Sequence, residues 1–389
     1  MPILDLKQKM EKPARVFGID WLEMFVSESP RVDYSPEGFE ARGWWVKRRD
    51  YGTMTMEQMF TLEDRRGYPF IEVRRLPRGL RKDGTKTVYM EGDSYVRLCN
   101  MYCYDENPMD LMCRFLSREH YTIKKIYRID VYLDFVRFDS GDIPQRVARR
   151  ILTHIYSKVN QTDRATRGKD TWTECKENWL SWGASGSMVS TKFYNKTKEL
   201  RDAGMTKLYI VEKWKEAHLI PDVVDVATDE KAPEVWRVEF SIKGNAKGWI
   251  YIDKKESEDG ERHWLPHSPA VYADKKGVLN AIANLIPYYF KFRIYREGVR
   301  KSNCKEKVLF RFDDNEAELG YRLTNVSDMF RVRHQETESD VIALNHLVKA
   351  ATKLCGTEFS PRLASLINDV GDRVREKSRR QYDNQTDVF

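Results

Sequence analysis

The stretch Lys192-Phe193-Tyr194-Asn195-Lys196 decides how the rest of the sequence is interpreted. Side chains alternate between the two faces of a β-strand. This stretch therefore predicts a strand with Phe193 on one face and Lys192, Tyr194 and Lys196 on the other. A tyrosine between two lysines has the chemistry of a nucleophile that attacks phosphate, because the lysines can hold the phosphate and stabilise the phenolate. The same pattern is also typical of a half-buried tyrosine beside solvated lysines.

Two further stretches alternate in the same way and carry acids. Residues 126–135 and 236–243 each place apolar side chains on one face and polar side chains on the other. A period of two over so many residues favours strands that are half-buried in a sheet. The polar residues of the two stretches are Arg128, Asp130, Tyr132, Asp134, Arg237, Glu239, Ser241 and Lys243.

These acids predict a metal site if the three strands share one sheet. The apolar faces would then pack on helices, and the opposite face would display Tyr194 with Asp130, Asp134 and Glu239. Carboxylate oxygens are ligands that suit Mg²⁺ or Mn²⁺. A divalent ion beside a nucleophile suits phosphoryl transfer. We therefore expect Asp130, Asp134 and Glu239 to hold Mg²⁺ or Mn²⁺.

The composition is that of a globular protein with a moderate positive charge. The chain has 389 residues, of which 41% are hydrophobic and 33% charged, and its formal net charge is +7. Its mean hydropathy of -0.66 and the lack of a long apolar run argue against a membrane span. Residues 1–12 are charged and have no apolar signal-peptide core, so we expect a cytoplasmic protein. The cysteines contain no C-x-x-C pair and no two histidines lie one residue apart, which disfavours a zinc site and a histidine-pair relaxase.

The order of the predicted elements indicates an α+β fold. We expect a mostly antiparallel sheet with helices on one face and an open polar face that carries the active site. Three regions are predicted: a strand-rich N-terminal subdomain at 1–118, a catalytic core at 119–325, and a basic helical C-terminal region at 326–389. Apolar residues at spacings of four predict a helix from Ile143 to Val159, and a further helix is expected at about 275–286.

Basic segments indicate where DNA would bind. Arginines cluster at 74–82, next to the Asp83-Gly84 turn signal, and cations alternate with aromatic residues at 290–311. Aromatic side chains among cations suit single-stranded nucleic acid, although a solvated basic surface gives the same pattern. The residues predicted to contact DNA are Arg74, Arg75, Arg78, Arg128, Arg237, Lys243, Lys291, Arg293, Arg296 and Arg300.

The motifs of the three strands, taken in order, resemble a known family. Arg-Ile-Asp-x-x-x-Asp at 128–134, Phe-Tyr-Asn-Lys-x-x-Glu at 193–199 and Arg-Val-Glu-Phe-x-x-Lys at 237–243 resemble the Rep-trans replication initiation factors. That family comprises initiators of rolling-circle plasmids and related relaxases of integrative elements. Gly-Ile-Asp-Trp-Leu at 18–22 is similar to the family's opening strand. The resemblance covers about residues 16–312.

The resemblance implies a function as well as a fold. It implies that Tyr194 nicks one DNA strand and becomes linked to the 5′-phosphate, while Asp130 and Glu239, with Asp134, hold the metal. Lys192 and Lys196 would assist the tyrosine. The implied partner is origin DNA, as a hairpin or a single-stranded nick site. A helicase or other replication proteins, and a second copy of this chain, are further candidate partners.

Two other interpretations fit the same residues. A metal-dependent nuclease would use water as the nucleophile and the three acids as ligands. A non-catalytic DNA-binding protein, such as a replication accessory factor or a repressor, would use the acids in salt bridges with Arg128 and Arg237. Acids and arginines two residues apart on a strand face commonly form such pairs.

Overall fold

The computed structural model describes most of the chain up to residue 324, and the described residues all belong to one compact unit. The chain divides into the units Met1–Asn325 and Val326–Phe389, and the second unit lies outside the described residues. The helical region predicted at 326–389 therefore lies outside the described residues. So do two predictions within the first unit, the Asp83-Gly84 turn and Arg300. The described residues are 13–48, 56–80, 86–88, 92–158, 172–176, 178–183, 188–204, 207–229, 231–244, 248–251, 269–299, 303–313, 315–317, 319 and 321–324.

One antiparallel sheet of eleven strands is the framework of this unit. Strands from both sides of the boundary predicted at residue 118 are neighbours in it, since the strand Arg15–Ser27 pairs with the strand Thr122–Phe135. The strands in spatial order are β2 (Trp45–Arg48), β3 (Met56–Glu63), β4 (Pro69–Leu80), β6 (Asp93–Leu98), β1 (Arg15–Ser27), β7 (Thr122–Phe135), β12 (Trp236–Lys243), β11 (Val189–Asn195), β10 (Trp179–Trp182) and β9 (Trp172–Lys176), with β5 (Lys86–Val88) on β4.

The three strands predicted from alternation are consecutive neighbours in this sheet. β12 lies between β7 and β11, with Glu239 opposite Lys192 on one side and Ser241 opposite Asp130 on the other. The apolar residues of these strands, such as Val131 and Phe240, are fully buried. The predicted α+β class and the antiparallel sheet are confirmed. We call the side of the sheet that carries Tyr194, Asp130 and Glu239 the polar face.

Helices cover the apolar side of the sheet. Met112 of α3 and Leu285 of α7 belong to the same buried core as the apolar residues of β7. A helix at 275–286 was expected, and α7 is somewhat longer. The helices are α1 (Pro36–Ala41), α2 (Asn100–Cys103), α3 (Pro108–Arg118), α4 (Pro144–Leu152), α5 (Lys196–Asp202), α6 (Leu208–Glu216) and α7 (Lys275–Tyr289), with a 3-10 helix at Pro269–Tyr272.

Helix α4 is shorter than the sequence pattern predicts. It ends at Leu152 instead of continuing to Val159. His154 has a φ of 58°, the left-handed conformation that commonly ends a helix. The chain then forms the short strand β8 (Tyr156–Lys158), which pairs with β14 (Phe292–Ile294). The apolar spacing of four therefore continues past the point where the backbone leaves the helix.

The remaining strands form small additional sheets. β14 also pairs with β15 (Glu306–Lys307), and β13 (Gly248–Tyr251) pairs with β16 (Tyr321–Thr324). Within the described ranges, no helix is both long enough and apolar enough to cross a membrane.

A β-bulge in β1 turns two consecutive residues toward the polar face. The register of β1 on β7 shifts between Ile19, which pairs with Val131, and Trp21, which pairs with Asp130. Ile19 is buried in the core, whereas Asp20 contacts Arg237 and Trp21 contacts Arg128. An extra residue in one strand produces this effect, because strict alternation is interrupted there.

Candidate active site

One carboxylate joins the predicted nucleophile to a lysine. The Tyr194 hydroxyl donates a hydrogen bond of 3.0 Å to Glu239 Oε2, and Lys192 Nζ lies 2.6 Å from Glu239 Oε1. The contacts follow from the register, since Lys192 and Glu239 are directly opposite on β11 and β12. The structure therefore brings together the phenol, the lysine and one of the predicted acids, although they are distant in sequence.

Asp130 lies next to this group on the other side of β12. Arg128 Nε donates to Asp130 Oδ1 at 2.9 Å and to Ser241 Oγ at 3.1 Å. Asp130 and Glu239 are both 2% exposed. Burial raises the pKa of Asp130; the hydrogen bond from Arg128 opposes this effect, and the negative charge of Glu239 adds to it. Glu239 is thus close enough to Asp130 for its charge to affect the pKa of Asp130.

The third predicted acid belongs to a separate buried group, which we call the Arg237 cluster. Arg237 Nε donates to Asp134 Oδ1 at 2.6 Å, and its Nη2 donates to Asp134 Oδ2 at 2.8 Å. Its Nη1 reaches Asp20 Oδ1 at 2.9 Å and the Tyr104 hydroxyl at 2.7 Å. Trp214 Nε1 donates to Asp134 Oδ2 at 2.7 Å. Both oxygens of Asp134 are therefore occupied by protein donors.

The Arg237 cluster changes two residue assignments. Arg237 is predicted to contact DNA, but its side chain is fully buried and hydrogen-bonded within the protein, so a structural role replaces that assignment. Asp134 would have to leave Arg237 and Trp214 to reach a metal ion. Over the described part of the chain, no group of three or more His, Cys, Asp or Glu side chains is arranged to hold one ion.

Tyr194 is more enclosed than an open polar face implies. Its side chain is 3% exposed, and its ring centroid lies 4.3 Å from that of Trp179 on β10. Burial raises the pKa of Tyr194 well above the usual value of 10.0; the charge of Glu239 raises it further, while Arg237 lowers it. Arg237 is directly opposite Tyr194 in the β11–β12 register. In this conformation the phenol is therefore protonated and shielded.

Lys196 reaches the tyrosine by a different route from the predicted one. Strand β11 ends at Asn195, whose side chain accepts a hydrogen bond of 2.9 Å from the backbone N–H of Lys198 and so caps α5. Lys196 is then the first residue of α5. Its Nζ lies 5.5 Å from the Tyr194 ring centroid and 2.8 Å from Glu199. Lys196 therefore belongs to a helix, and its predicted place on the strand is wrong.

Five of the ten residues predicted to contact DNA are in ion pairs with a partly exposed cation, namely Arg74, Arg75, Arg128, Lys291 and Arg293. Arg74 pairs with Glu23 and Glu72, and Arg75 pairs with Glu28. Three residues of this set have half-buried or exposed side chains, so DNA could reach them. These are Lys291 and Arg293, which both pair with Glu306, and Arg296, which is exposed. Lys243 is half-buried, and the Arg78 side chain lies outside the described residues. Contact of these residues with DNA stays a prediction.

The sequence did not identify four residues that shape this site: Asp20, Tyr104, Trp179 and Trp214. A signal existed for Asp20, because Ile19-Asp20 repeats the Ile-Asp pair of the β7 motif. Trp179, Tyr104 and Trp214 carry no local motif, and only the fold brings them to the polar face. A cavity of about 650 Å³ beside Tyr104 and Tyr132 extends along residues 15–19 and does not include Tyr194.

Comparison with known proteins gives a structural similarity but no sequence match. The sequence matches no protein-family model and no curated protein. Among solved structures, a rolling circle replication initiator protein from Geobacillus stearothermophilus matches with a TM-score of 0.41 and 15% sequence identity. The match covers 76% of this chain and 93% of that chain. A similarity at this level does not by itself establish a function.

Proposed function

We propose that this protein is a replication initiator or relaxase that nicks one DNA strand with Tyr194 as the nucleophile. The observation that carries the proposal is the hydrogen bond from the Tyr194 hydroxyl to Glu239, with Asp130 adjacent. The Tyr194 hydroxyl is hydrogen-bonded to one oxygen of Glu239, which can accept its proton. Lys192 contacts the other oxygen and supplies a cation beside the phenol. The Rep-trans motifs on these same strands support the same assignment.

The proposed reaction transfers a phosphodiester to the protein. Glu239 Oε2 accepts the phenolic proton, and the Tyr194 oxygen attacks the phosphorus of the scissile phosphodiester. The bond between phosphorus and the 3′-oxygen breaks, and the released 3′-oxygen takes up a proton from water. The products are a 5′-phosphotyrosyl link and a free 3′-hydroxyl. Lys192 pairs with Glu239 before the reaction, and in the proposed reaction it contacts the phosphate as Glu239 becomes protonated.

The residues that would hold Mg²⁺ or Mn²⁺ are Asp130 and Glu239, which would have to exchange side-chain contacts with Arg128 and Lys192 for the ion. The two acids fit such an ion because both are buried oxygen donors on neighbouring strands, and the charge of Glu239 raises the pKa of Asp130. When bound, a divalent ion supplies charge stabilisation to the phosphate oxygens. Asp134 stays a prediction as a third ligand, since its oxygens are bonded to Arg237 and Trp214.

Nicking requires that the Tyr194 hydroxyl become accessible. The Trp179 ring lies against Tyr194, and β10 is near the end of the sheet, paired with β9 and β11. We infer that displacement of Trp179 admits the DNA strand.

The test is the formation of a covalent protein–DNA adduct. With a labelled single strand from a candidate origin and Mg²⁺ or Mn²⁺, the wild type should give an adduct that survives SDS. Tyr194→Phe should give none and should still bind the DNA. The matched control is Tyr102→Phe, since the Tyr102 hydroxyl also donates to a carboxylate, Asp64, at 2.6 Å. Nicking by Tyr194→Phe, with no adduct in the wild type, would contradict the proposal and favour water as the nucleophile.

One observation favours a second candidate, a DNA-binding protein without catalytic activity. Asp130 pairs with Arg128 and Asp134 pairs with Arg237, which are the salt bridges that this alternative expects. In that case neither wild type nor variant forms an adduct with any origin strand, and substitution of Asp130 lowers stability without altering any cleavage.

A further inference from the structure

The polar face has a second region, which extends away from Tyr194. The part near Asp134 is covered, because Trp214 of α6 and Tyr104 lie over it. Among the residues that the structure describes, none covers the part toward β4 in this way, and the side chains there are half-buried or exposed. We call this region the outer track, and its residues are Trp21, Phe25, Arg74, Tyr95, Arg97, Lys124, Tyr127 and Arg128.

The ion pairs of the outer track are layered, with the cations outside. The side chain of Arg128 is 33% exposed while that of its partner Asp130 is 2% exposed. Lys124 is 41% exposed against 7% for Asp93. Arg74 and Arg97 have the same relation to Glu23 and Glu72. The acids lie at the base of the sheet face, so an approaching molecule meets cations although the pairs are formally neutral.

Aromatic rings lie between these cations. Tyr127 is 41% exposed, and its ring centroid is 4.6 Å from that of Tyr95, which lies 4.9 Å from that of Phe25. Lys124 Nζ lies 5.1 Å from the Phe25 ring centroid. The track thus presents a row of three aromatic rings beside an exposed lysine.

Trp21 connects this row to the candidate active site. The guanidinium carbons of Arg97 and Arg128 lie 4.2 and 4.5 Å from the centroid of its ring. Trp21 is opposite Asp130 in the β1–β7 register. The outer track is therefore continuous with the acids beside Tyr194.

We propose that the outer track binds single-stranded DNA and leads it to Tyr194, an inference that rests on the proposed nicking function. Exposed rings can stack on unpaired bases, whereas the bases of a duplex already stack on each other. The outward cations pair with the phosphates of the same strand. The combination favours a single strand over a duplex, and over an acidic peptide, which has charge but no bases to stack.

The test measures DNA binding without cleavage, in the full-length Tyr194→Phe protein. A labelled oligonucleotide of mixed sequence is titrated in single-stranded form and as a duplex. Adding Tyr127→Ala should weaken single-strand binding about fivefold or more, because one stacked base is lost, and should leave duplex binding nearly unchanged. Adding Lys124→Gln should reduce the slope of log K against log salt by about 0.7, the value for one phosphate contact.

Matched controls come from surfaces outside the track. Tyr68 is 49% exposed and also contacts an arginine, Arg66, while Arg114 is an exposed cation on α3 that pairs with Asp110. Tyr68→Ala and Arg114→Gln should bind both forms of DNA like the parent. Equal effects of track and control variants would overturn the proposal. Displacement of the oligonucleotide by poly-glutamate at equal charge would also overturn it, since that result indicates a general anion surface.

The outcome is separable from that of the nicking test. If the wild type forms no adduct while Tyr127→Ala loses single-strand affinity, the track stands and the nicking function fails. If the wild type forms the adduct while the track variants bind like the controls, the nicking function stands and the track fails.

Discussion

At the scale of single residues, most charged side chains of the polar face form an ion pair with another side chain of the same face. Glu239 accepts a hydrogen bond from Tyr194 and pairs with Lys192, while Asp134 pairs with Arg237. The sequence favours a metal for the acids and DNA for the arginines, with salt bridges between them as the alternative, because a strand pattern reveals which residues share a face but not which of them pair. A buried charge without a partner costs several kcal/mol, so the pairs determine the arrangement.

Asp134→Asn should destabilise the protein strongly in the absence of divalent ions. The variant leaves the fully buried Arg237 without its principal counter-charge, so we expect the free energy of unfolding to fall by about 3–5 kcal/mol. Urea denaturation in EDTA measures it. Asp110→Asn, which breaks the exposed pair with Arg114, should change the same quantity by less than about 0.5 kcal/mol.

The opposite result would identify Asp134 as a metal ligand whose pairing is incidental. Removal of one carboxylate from a metal-free acid cluster relieves repulsion, so the variant would then be as stable as the wild type or more stable in EDTA.

Asp20 should contribute stability that is lost in acid. Burial opposes its ionisation, but the charges of Arg237 and Lys196 outweigh burial and lower the pKa of Asp20 to about 2, from 3.8. Between these two values the unfolded chain binds more protons than the folded one, so stability rises with pH there. The contribution is about 2 kcal/mol above pH 4 and disappears as the pH falls toward 2.

The measurement is the difference in unfolding free energy between wild type and Asp20→Asn, followed from pH 5 to pH 2. It should shrink steadily over that interval. A difference that is independent of pH would show that Asp20 is not ionised by the Arg237 cluster.

At the scale of elements, alternation of apolar and polar residues predicts the strands well, whereas apolar spacing of four predicts helix ends poorly. β7 and β12 were recognisable because each has a long period-two pattern, and their pairing follows from burial of the apolar face. The predicted helix runs past the observed end of α4 at Leu152, because apolar spacing gives no sign of the left-handed backbone at His154. The bulge at Asp20 was not predictable, because an extra residue leaves no mark on composition.

The junction of β11 and α5 gives a test at this scale. Asn195→Ala removes the cap of α5 and should lower the free energy of unfolding by about 1 kcal/mol, whereas Asn195→Asp should retain the cap. Thermal or urea unfolding compares the three proteins. Equal losses in both variants would mean that the cap does not fix the position at which Lys196 leaves the strand.

At the scale of the whole molecule, the sheet and its helical layer were predictable and the enclosure of the site was not. The α+β class follows from the patterns of separate stretches, each read locally. The cover over the polar face comes from Tyr104, Trp214 and Trp179, which belong to different parts of the chain and have no shared motif. Tertiary packing therefore decides how accessible Tyr194 is.

The most direct test is to locate the DNA attachment by mass spectrometry. Trypsin cleaves after Lys192 and after Lys196, so the peptide Phe193–Lys196 contains Tyr194 as its only tyrosine. After reaction with an origin strand and nuclease digestion, we predict that this peptide carries a 5′-linked nucleotide on Tyr194. A nucleotide on any other tyrosine, or nicked DNA with a free 5′-phosphate and an unmodified peptide, would contradict the account.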